Sequence, residues 1–231
     1  MAKVVIDAGH GGRDPGAVYN DRMEKDDALD LALAVGRILA DHGVDVSYTR
    51  TTDIYNTPYE KAMMGNNADA DLFVSLHRNA TVNPGALNGS ETLVYADRGI
   101  PAQLARNINE RLEQAGFLDR GVTERPNLVV LRRTRMPAVL VEAGFIDSET
   151  DNQIFDENFQ QIAQAIADGI LETLGEETAP QSQKLYRVQV GSYRNSNYAN
   201  QLLTQLKQDG FPAFIVFEDG YYRVQVGAFR N

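Results

Sequence analysis

Four side chains in this 231-residue chain have the chemistry that metal-assisted hydrolysis requires. They are two histidines, His10 and His77, and two glutamates, Glu24 and Glu142. Two imidazoles and one carboxylate make up the three protein ligands of a catalytic zinc site, which keeps a further position for water. A second carboxylate outside the ligand set can act as a base toward that water. The four residues form no local motif of the HExxH type, so their spacing alone is only moderately specific.

Each candidate also has an alternative interpretation. Glu24 lies near the start of a predicted helix, where an acidic side chain stabilises the helix dipole. His77 follows a predicted strand and can be a purely structural residue. Asp7 and Asp14 are alternative ligands, although Asp7 is better suited to orienting His10 or its loop from outside the ligand set.

The predicted strands bring three of the candidates to one edge of a sheet. The apolar run at residues 4–6 predicts a buried strand, and the glycines around His10 predict an open loop after it. Strands are also predicted at 71–76, ending on His77, and at 139–141, ending on Glu142. Open α/β sheets bind their ligands at the carboxyl ends of parallel strands. Glu24 lies between the glycine loop and the first predicted helix.

Strands and amphipathic helices alternate through the first part of the chain, which predicts a largely parallel sheet covered on both faces. We therefore expect a three-layer α/β/α domain with a mostly parallel, twisted sheet over residues 1–175. His42 is interpreted as a helix-end residue, since Gly43 closes the first helix after it. The remaining predicted strands are 44–49, 91–96 and 128–131, and the predicted helices are 26–41, 57–68, 101–115 and 158–174.

A second, smaller domain follows a linker. Residues 176–184 lack apolar periodicity and predict the linker. The strand-like segment 186–195 recurs as 222–231, with a helix predicted at 198–208 and a strand at 214–217. The repeat calls for a further helix and strand that residues 185–231 do not contain. We therefore expect one of three situations: the chain has been cut short at Asn231, a partner completes the module, or the module does not bind.

Composition excludes several classes of function. The formal net charge of −10 argues against a nucleic-acid partner, because the phosphate backbone requires clustered lysine and arginine. The apolar runs are far shorter than the roughly 18 residues of a membrane span. The absence of cysteine excludes disulfides and a thiol nucleophile, and it leaves nitrogen and oxygen as metal ligands. The first residues show no signal-peptide pattern, so we expect synthesis in the cytoplasm without a leader.

Other catalytic motifs are absent from the sequence. The loop Gly9-His10-Gly11-Gly12-Arg13-Asp14 lacks the third glycine of a dinucleotide-binding fingerprint. No GK[ST] follows a glycine loop, and no GxSxG nucleophile elbow is present.

Residues 3–174 resemble the zinc-dependent N-acetylmuramoyl-L-alanine amidases of the amidase type-3 family. In their order and spacing the matching segments are highly specific. The resemblance implies that His10, Glu24 and His77 bind one Zn²⁺ and that Glu142 is the catalytic carboxylate. It implies hydrolysis of the amide between the lactyl group of N-acetylmuramic acid and the L-alanine of the peptidoglycan stem peptide. The matches are Ile6-Asp7-Ala8-Gly9-His10-Gly11-Gly12, Glu24-Lys25, Ser75-Leu76-His77-Arg78-Asn79 and Pro137-Ala138-Val139-Leu140-Val141-Glu142-Ala143-Gly144-Phe145.

Residues 185–231 resemble a SPOR domain, a small α+β module of the ribonucleoprotein-like fold. That family binds peptidoglycan glycan strands that lack stem peptides, which implies glycan contacts from Gln189 and Ser192. Relatives with this domain order include amidases that lyse the mother cell in sporulation, and phage endolysins. We therefore expect action on the cell wall after lysis, holin release or non-classical export.

Arg78 and Asn79 are candidate substrate-binding residues. Arg78 departs from the family, because relatives commonly carry a smaller residue after the second histidine. Its guanidinium is suited to bidentate recognition of a stem-peptide carboxylate. The alternative is a solvated residue at the rim of the site.

Overall fold

The chain divides into two compact units, Met1–Thr178 and Ala179–Asn231. The predicted linker at 176–184 lies outside the residues whose structure is described. The computed structural model describes residues 2–175, 186–209, 211, 213–218 and 221–229.

A six-stranded sheet forms the centre of the first unit. Its order is β4-β1-β5-β8-β6-β7, and a separate hairpin consists of β2 and β3. Strands β4, β1, β5 and β8 pair in parallel, β6 pairs antiparallel with β8, and β7 pairs in parallel with β6. The strands are β1 (Lys3–Ala8), β2 (Val18–Tyr19), β3 (Arg22–Met23), β4 (Asp45–Tyr48), β5 (Leu72–Asn79), β6 (Ser90–Val94), β7 (Asp119–Glu124) and β8 (Ala138–Phe145).

Helices cover both faces of this sheet, which confirms the predicted three-layer architecture with a mostly parallel sheet. One face packs against α1, α3 and α6 through a large apolar core, and the other packs against α2 and α4 through a smaller one. His42 is the C-cap of α1, as predicted. The helices are α1 (Glu24–Asp41), α2 (Pro58–Ala68), α3 (Gly99–Gln114), α4 (Val129–Arg133), α5 (Glu149–Glu157) and α6 (Phe159–Leu174).

One predicted strand of this unit is wrong. Residues 128–131 form the start of α4, not a strand, because four consecutive apolar residues do not distinguish a buried strand from a buried helical turn. The last strand in the sheet order, β7, has no counterpart among the predicted strands. Its sequence, Asp-Arg-Gly-Val-Thr-Glu, is largely polar. This edge strand is specified by its pairing with β6, and such a strand has no strong local signal.

The second unit contains β9 (Tyr186–Tyr193), α7 (Ser196–Gln208), β10 (Ala213–Glu218) and β11 (Tyr221–Phe229), in the predicted order. The three strands form an antiparallel sheet of order β10-β11-β9. Val224 and Val226 on β11 are buried, and α7 contacts all three strands. Among the described residues of both units, no helix is long and apolar enough to cross a bilayer.

Candidate active site

His10, Glu24 and His77 converge at the carboxyl ends of β1 and β5. One ligand atom from each side chain lies within 4.8 Å of the others. His10 Nε2 is 3.0 Å from Glu24 Oε2, and His77 Nδ1 is 2.8 Å from Glu24 Oε1. The two rings meet edge to face with their centroids 4.9 Å apart. Each carboxylate oxygen therefore faces one imidazole, and the three side chains are close enough to share one cation.

Glu24 is the first residue of α1 and is only 4% exposed. Burial alone would raise the pKa of this carboxyl, but the hydrogen bonds from His10 and His77 outweigh it and hold the pKa far below its usual range. Burial likewise opposes charge on His10, but Glu24 and then Asp14 raise the pKa of its imidazole. A buried, ionised carboxylate between two imidazoles is a donor set that zinc prefers, so these residues fit that metal.

Two glycines leave the space in which these side chains approach one another. A Cβ atom on Gly16 would lie 2.5 Å from Glu24 Oε2 and 2.7 Å from His10 Cδ2, and Gly16 has a φ of +67°. A Cβ atom on Gly9 would lie 2.5 Å from the His77 ring. Both contacts are shorter than real Cβ atoms tolerate, so any larger residue at either position would push the cluster apart.

Asp14 orients His10. Its Oδ2 atom is 3.0 Å from His10 Nδ1, which leaves Nε2 directed at Glu24. A carboxylate on the second nitrogen of a ligating histidine fixes the ring orientation and tautomer. Asp14, considered from the sequence as an alternative ligand, therefore contacts the side of His10 that faces away from the cluster.

Asp7 supports the loop and does not contact His10, so the second of its two predicted roles is the one observed. Its carboxylate lies 3.1 Å from Lys61 Nζ and accepts hydrogen bonds from two buried hydroxyls. Burial raises the pKa of Asp7, but Lys61 and the hydroxyls outweigh it and lower the pKa overall. Lys61 in turn donates to the carbonyls of Ala8 (2.6 Å) and His10 (3.2 Å). Buried Arg50 binds the carbonyls of Ala8 and Gly9.

Arg50 and Lys61 are functional supports that the sequence analysis missed. Arg50 lies just after β4 and Lys61 lies in α2, both far in sequence from the loop that they hold, and neither belongs to a local motif. Their burial, 3% and 4% exposed respectively, is the signal that identifies them, and it exists only in the folded chain.

Glu142 lies beside His77, its direct neighbour in the pairing of β5 with β8. Across the antiparallel pair of β8 and β6 it also faces Glu91. Its Oε2 atom is buried and has no hydrogen-bond partner among the described residues. Burial, and then the negative charges of Glu24 and Glu91, raise the pKa of Glu142 well above its usual range. A carboxyl whose pKa is raised in this way is suited to accept a proton and to donate it again.

Two protein-family models match the chain, one for each unit. A model described as N-acetylmuramoyl-L-alanine amidase matches residues 4–172, and a model described as SPOR domain matches residues 182–231. The first match covers well over half of the chain. The chain belongs to the N-acetylmuramoyl-L-alanine amidase family.

Curated relatives of this amidase include a sporulation amidase and a phage endolysin. A sporulation-specific N-acetylmuramoyl-L-alanine amidase of Bacillus subtilis is 37% identical over 225 residues, covering 95% of this chain and 86% of the relative. An endolysin of Bacillus phage SPP1 is 38% identical over 185 residues, covering 75% of this chain and 67% of the endolysin.

Solved structures of amidases share the fold. The catalytic domain of CwlV, an N-acetylmuramoyl-L-alanine amidase from Bacillus (Paenibacillus) polymyxa, superimposes with a TM-score of 0.71 at 38% identity. The match covers 77% of this chain and all of that domain. An N-acetylmuramoyl-L-alanine amidase from Clostridium difficile 630 gives a TM-score of 0.71 at 34% identity, covering 76% and 98% of the two chains.

Arg78 of the amidase is a buried structural residue, and the prediction of a substrate contact there is corrected. Its side chain is fully buried, and it donates to Asp27 at 2.6 Å and to Asn152 at 2.8 Å. Its guanidinium carbon also lies 4.1 Å from the centre of the Phe155 ring. Burial lowers the pKa of Arg78 to about 10, so it stays charged at neutral pH. The alternative of a solvated rim residue is excluded by the same burial.

Asn79 is half-buried on the other side of the cluster and lines an open groove. Its Nδ2 atom donates to Glu91 at 2.7 Å, and its Oδ1 atom accepts from the backbone of Ala80. In this arrangement Asn79 holds Glu91, the neighbour of Glu142. A contact with substrate stays a prediction.

Gln189 and Ser192 of the second unit are exposed and share one face of its sheet. Residues three apart on a regular strand point to opposite faces. Here the register shifts, so that Gln189 faces Gln225 and Ser192 faces Arg223. Gln225 and Arg223 alternate with buried Val224, and so they lie on the face opposite α7. The two predicted glycan contacts therefore lie on one surface of β9.

Proposed function

We propose that this amidase is zinc-dependent and cleaves the bond between N-acetylmuramic acid and the L-alanine of the stem peptide. His10, Glu24 and His77 would hold one Zn²⁺, and Glu142 would be the catalytic carboxylate. One observation carries this proposal: three ligand atoms within 4.8 Å of one another stand beside a carboxylate whose Oε2 atom is buried and unpartnered among the described residues.

The protein's own groups account for the proton transfers. Zinc held by His10, Glu24 and His77 would supply a Lewis acid and would make the attacking water more acidic. Glu142 takes the proton from the attacking water as the new C–O bond forms. It then gives that proton to the nitrogen of L-alanine as the C–N bond breaks, which regenerates the carboxylate. Asp14 keeps His10 in the orientation that ligation requires.

The second unit would bind glycan strands, and the enzyme would act on the cell wall. The match of residues 182–231 to the SPOR domain model supports the first statement. The exposed Gln189 and Ser192 on one sheet face provide polar groups for sugar hydroxyls. The names of the sporulation and endolysin relatives support the second statement.

Digestion of purified peptidoglycan tests the proposal. We expect the full chain to release stem peptides with a new N-terminal alanine, to release none with a chelator, and to recover when zinc is added. Mass spectrometry of the soluble products identifies the bond. New sugar reducing ends in place of stem peptides with an N-terminal alanine would contradict the proposed cleavage.

Glu142→Gln tests the role of the base, because it keeps the shape of the side chain and removes the group that accepts the proton. We expect it to retain stoichiometric zinc and to lose about 10²–10⁴ in rate. His77→Ala should instead lower the zinc content itself. A Glu142→Gln enzyme that digests peptidoglycan at the normal rate would refute the role given to Glu142.

A further inference from the structure

One open cavity is lined by His10 and His77, and a second lies near them, lined by Asn79 two residues after His77. The first, of about 250 Å³, lies toward β1 and has an apolar wall that includes Pro58, Leu128 and Leu140. Among the described residues, the only lysine or arginine that lines it is Lys61, whose ammonium is bound to Asp7 and to loop carbonyls. This cavity therefore offers no available cation to a ligand.

The second cavity lies toward the opposite edge of the sheet, over β6 and β7. It is a groove of about 530 Å³, and two of its rim residues, Val82 and Leu87, are exposed apolar side chains. Its floor includes Asn79 and Glu91, and Glu91 is the cross-strand neighbour of Glu142. The proposed proton donor to the leaving amine, Glu142, therefore lies on the strand next to the one that carries Glu91 in the floor of this groove.

Arg120 is the cation of the second groove. It is exposed, it donates to the carbonyl of Asn88 at 3.0 Å, and its guanidinium carbon lies 5.7 Å from the centre of the Phe145 ring. Within the described part of the chain it makes no ion pair with a carboxylate. A guanidinium has five N–H donors, so donors remain for a ligand.

Two carboxylates, Glu91 and Asp151, lie near Arg120, and neither forms an ion pair with it among the described residues. Both oxygens of Glu91 accept hydrogen bonds, one from Asn79 at 2.7 Å and the other from Thr123 at 3.0 Å. Asp151 accepts from the backbone N–H groups of Gly89 and Phe145. The arginine is therefore not neutralised by a direct contact with either carboxylate.

We propose that Arg120 binds a carboxylate of the stem peptide, so that the peptide half of the substrate lies over β6 and β7. This inference rests on the proposed function, because it places the leaving amine beside Glu142. Before cleavage the lactyl carboxyl is held in the amide, so the carboxylates of a muramyl peptide lie in its peptide half. An arginine fork recognises a carboxylate through two parallel hydrogen bonds.

Equilibrium binding tests the proposal without relying on turnover. The ligands are two muramyl dipeptides that differ only in whether the carboxyl groups of the second residue are free or amidated. In the full-length Glu142→Gln protein we expect calorimetry to show about tenfold tighter binding of the free acid. Adding Arg120→Ala should remove that preference and leave the affinity for the amidated ligand unchanged, which also shows that the groove is still folded.

Two further variants sharpen the result. Arg120→Lys should recover part of the preference, since it keeps the charge and loses the fork. Arg106 is an exposed arginine on α3 that pairs with Asp97, outside the groove. Arg106→Ala should change neither affinity. Equal losses for both ligands in Arg120→Ala, no loss for either, or no preference in the parent protein would each overturn the proposal.

The outcome is separable from that of the proposed amidase reaction. A protein that prefers the free acid through Arg120 but releases no stem peptides from peptidoglycan would keep this subsite and lose the proposed cleavage. A protein that cleaves peptidoglycan but binds both dipeptides equally would keep the cleavage and lose the subsite.

Discussion

At the scale of single residues, the pairing of Glu142 with Glu91 predicts the pH dependence of the enzyme. Glu142 must be ionised to accept a proton, and burial together with the charges of Glu24 and Glu91 raises its pKa. Activity should therefore fall as the pH drops through this raised pKa, above the usual range of a glutamate. Glu91→Gln removes one negative charge and should move the acid limb of kcat/KM down by about one pH unit.

The measurement is kcat/KM against pH on a soluble muramyl peptide. The side chain introduced by Glu91→Gln can still accept from Asn79 through its amide oxygen, so the variant keeps much of the local hydrogen bonding. Glu110→Gln, an exposed position on α3, serves as the control and should leave the acid limb in place. An acid limb that does not move in Glu91→Gln would show that Glu91 does not influence the base.

At the scale of elements, Arg78 joins three parts of the fold that carry the site. It follows His77 on β5, pairs with Asp27 in the first turn of α1, and bonds to Asn152 on α5. Arg78→Ala would leave a cavity and an incompletely paired Asp27, which only Arg22 still contacts among the described ion pairs. We expect a loss of about 3–5 kcal/mol in the free energy of unfolding.

Urea titration with a chelator present measures this loss without a contribution from metal binding. Arg106→Ala breaks the exposed ion pair between Arg106 on α3 and Asp97. It should change the free energy of unfolding by less than about 0.5 kcal/mol. A loss below about 1 kcal/mol for Arg78→Ala would mean that the buried ion pair does not hold these elements together.

The elements also show why part of the site was predictable from sequence. Buried parallel strands have strong apolar signals, so the positions of His77 and Glu142 in the carboxyl-terminal halves of β5 and β8 could be inferred from their own segments. The edge strand β7 and helix α4 could not be inferred from their own segments, because strand pairing and packing override weak local preferences there. Arg78 and Arg120 depend on contacts between separate elements, and no local pattern distinguishes a buried arginine from an exposed one.

At the scale of the whole molecule, the division into two units predicts that catalysis and wall binding can be separated. The proposed ligands and base all lie in the first unit, and the exposed Gln189 and Ser192 lie in the second. Deleting residues 179–231 should leave kcat/KM on a soluble muramyl peptide unchanged. Binding to insoluble peptidoglycan should weaken by about tenfold or more, because two linked sites bind a polymer better than one.

A cosedimentation assay with peptidoglycan measures the binding, and the same preparation is assayed on the soluble substrate. The double variant Gln189→Ala and Ser192→Ala in the full chain keeps the second unit and removes only the two exposed polar side chains. It should reproduce most of the binding loss, because these groups share the face opposite α7. If the deletion instead slowed hydrolysis of the soluble peptide, the second unit would have to contribute to the catalytic site, and the assignment of separate tasks would be wrong.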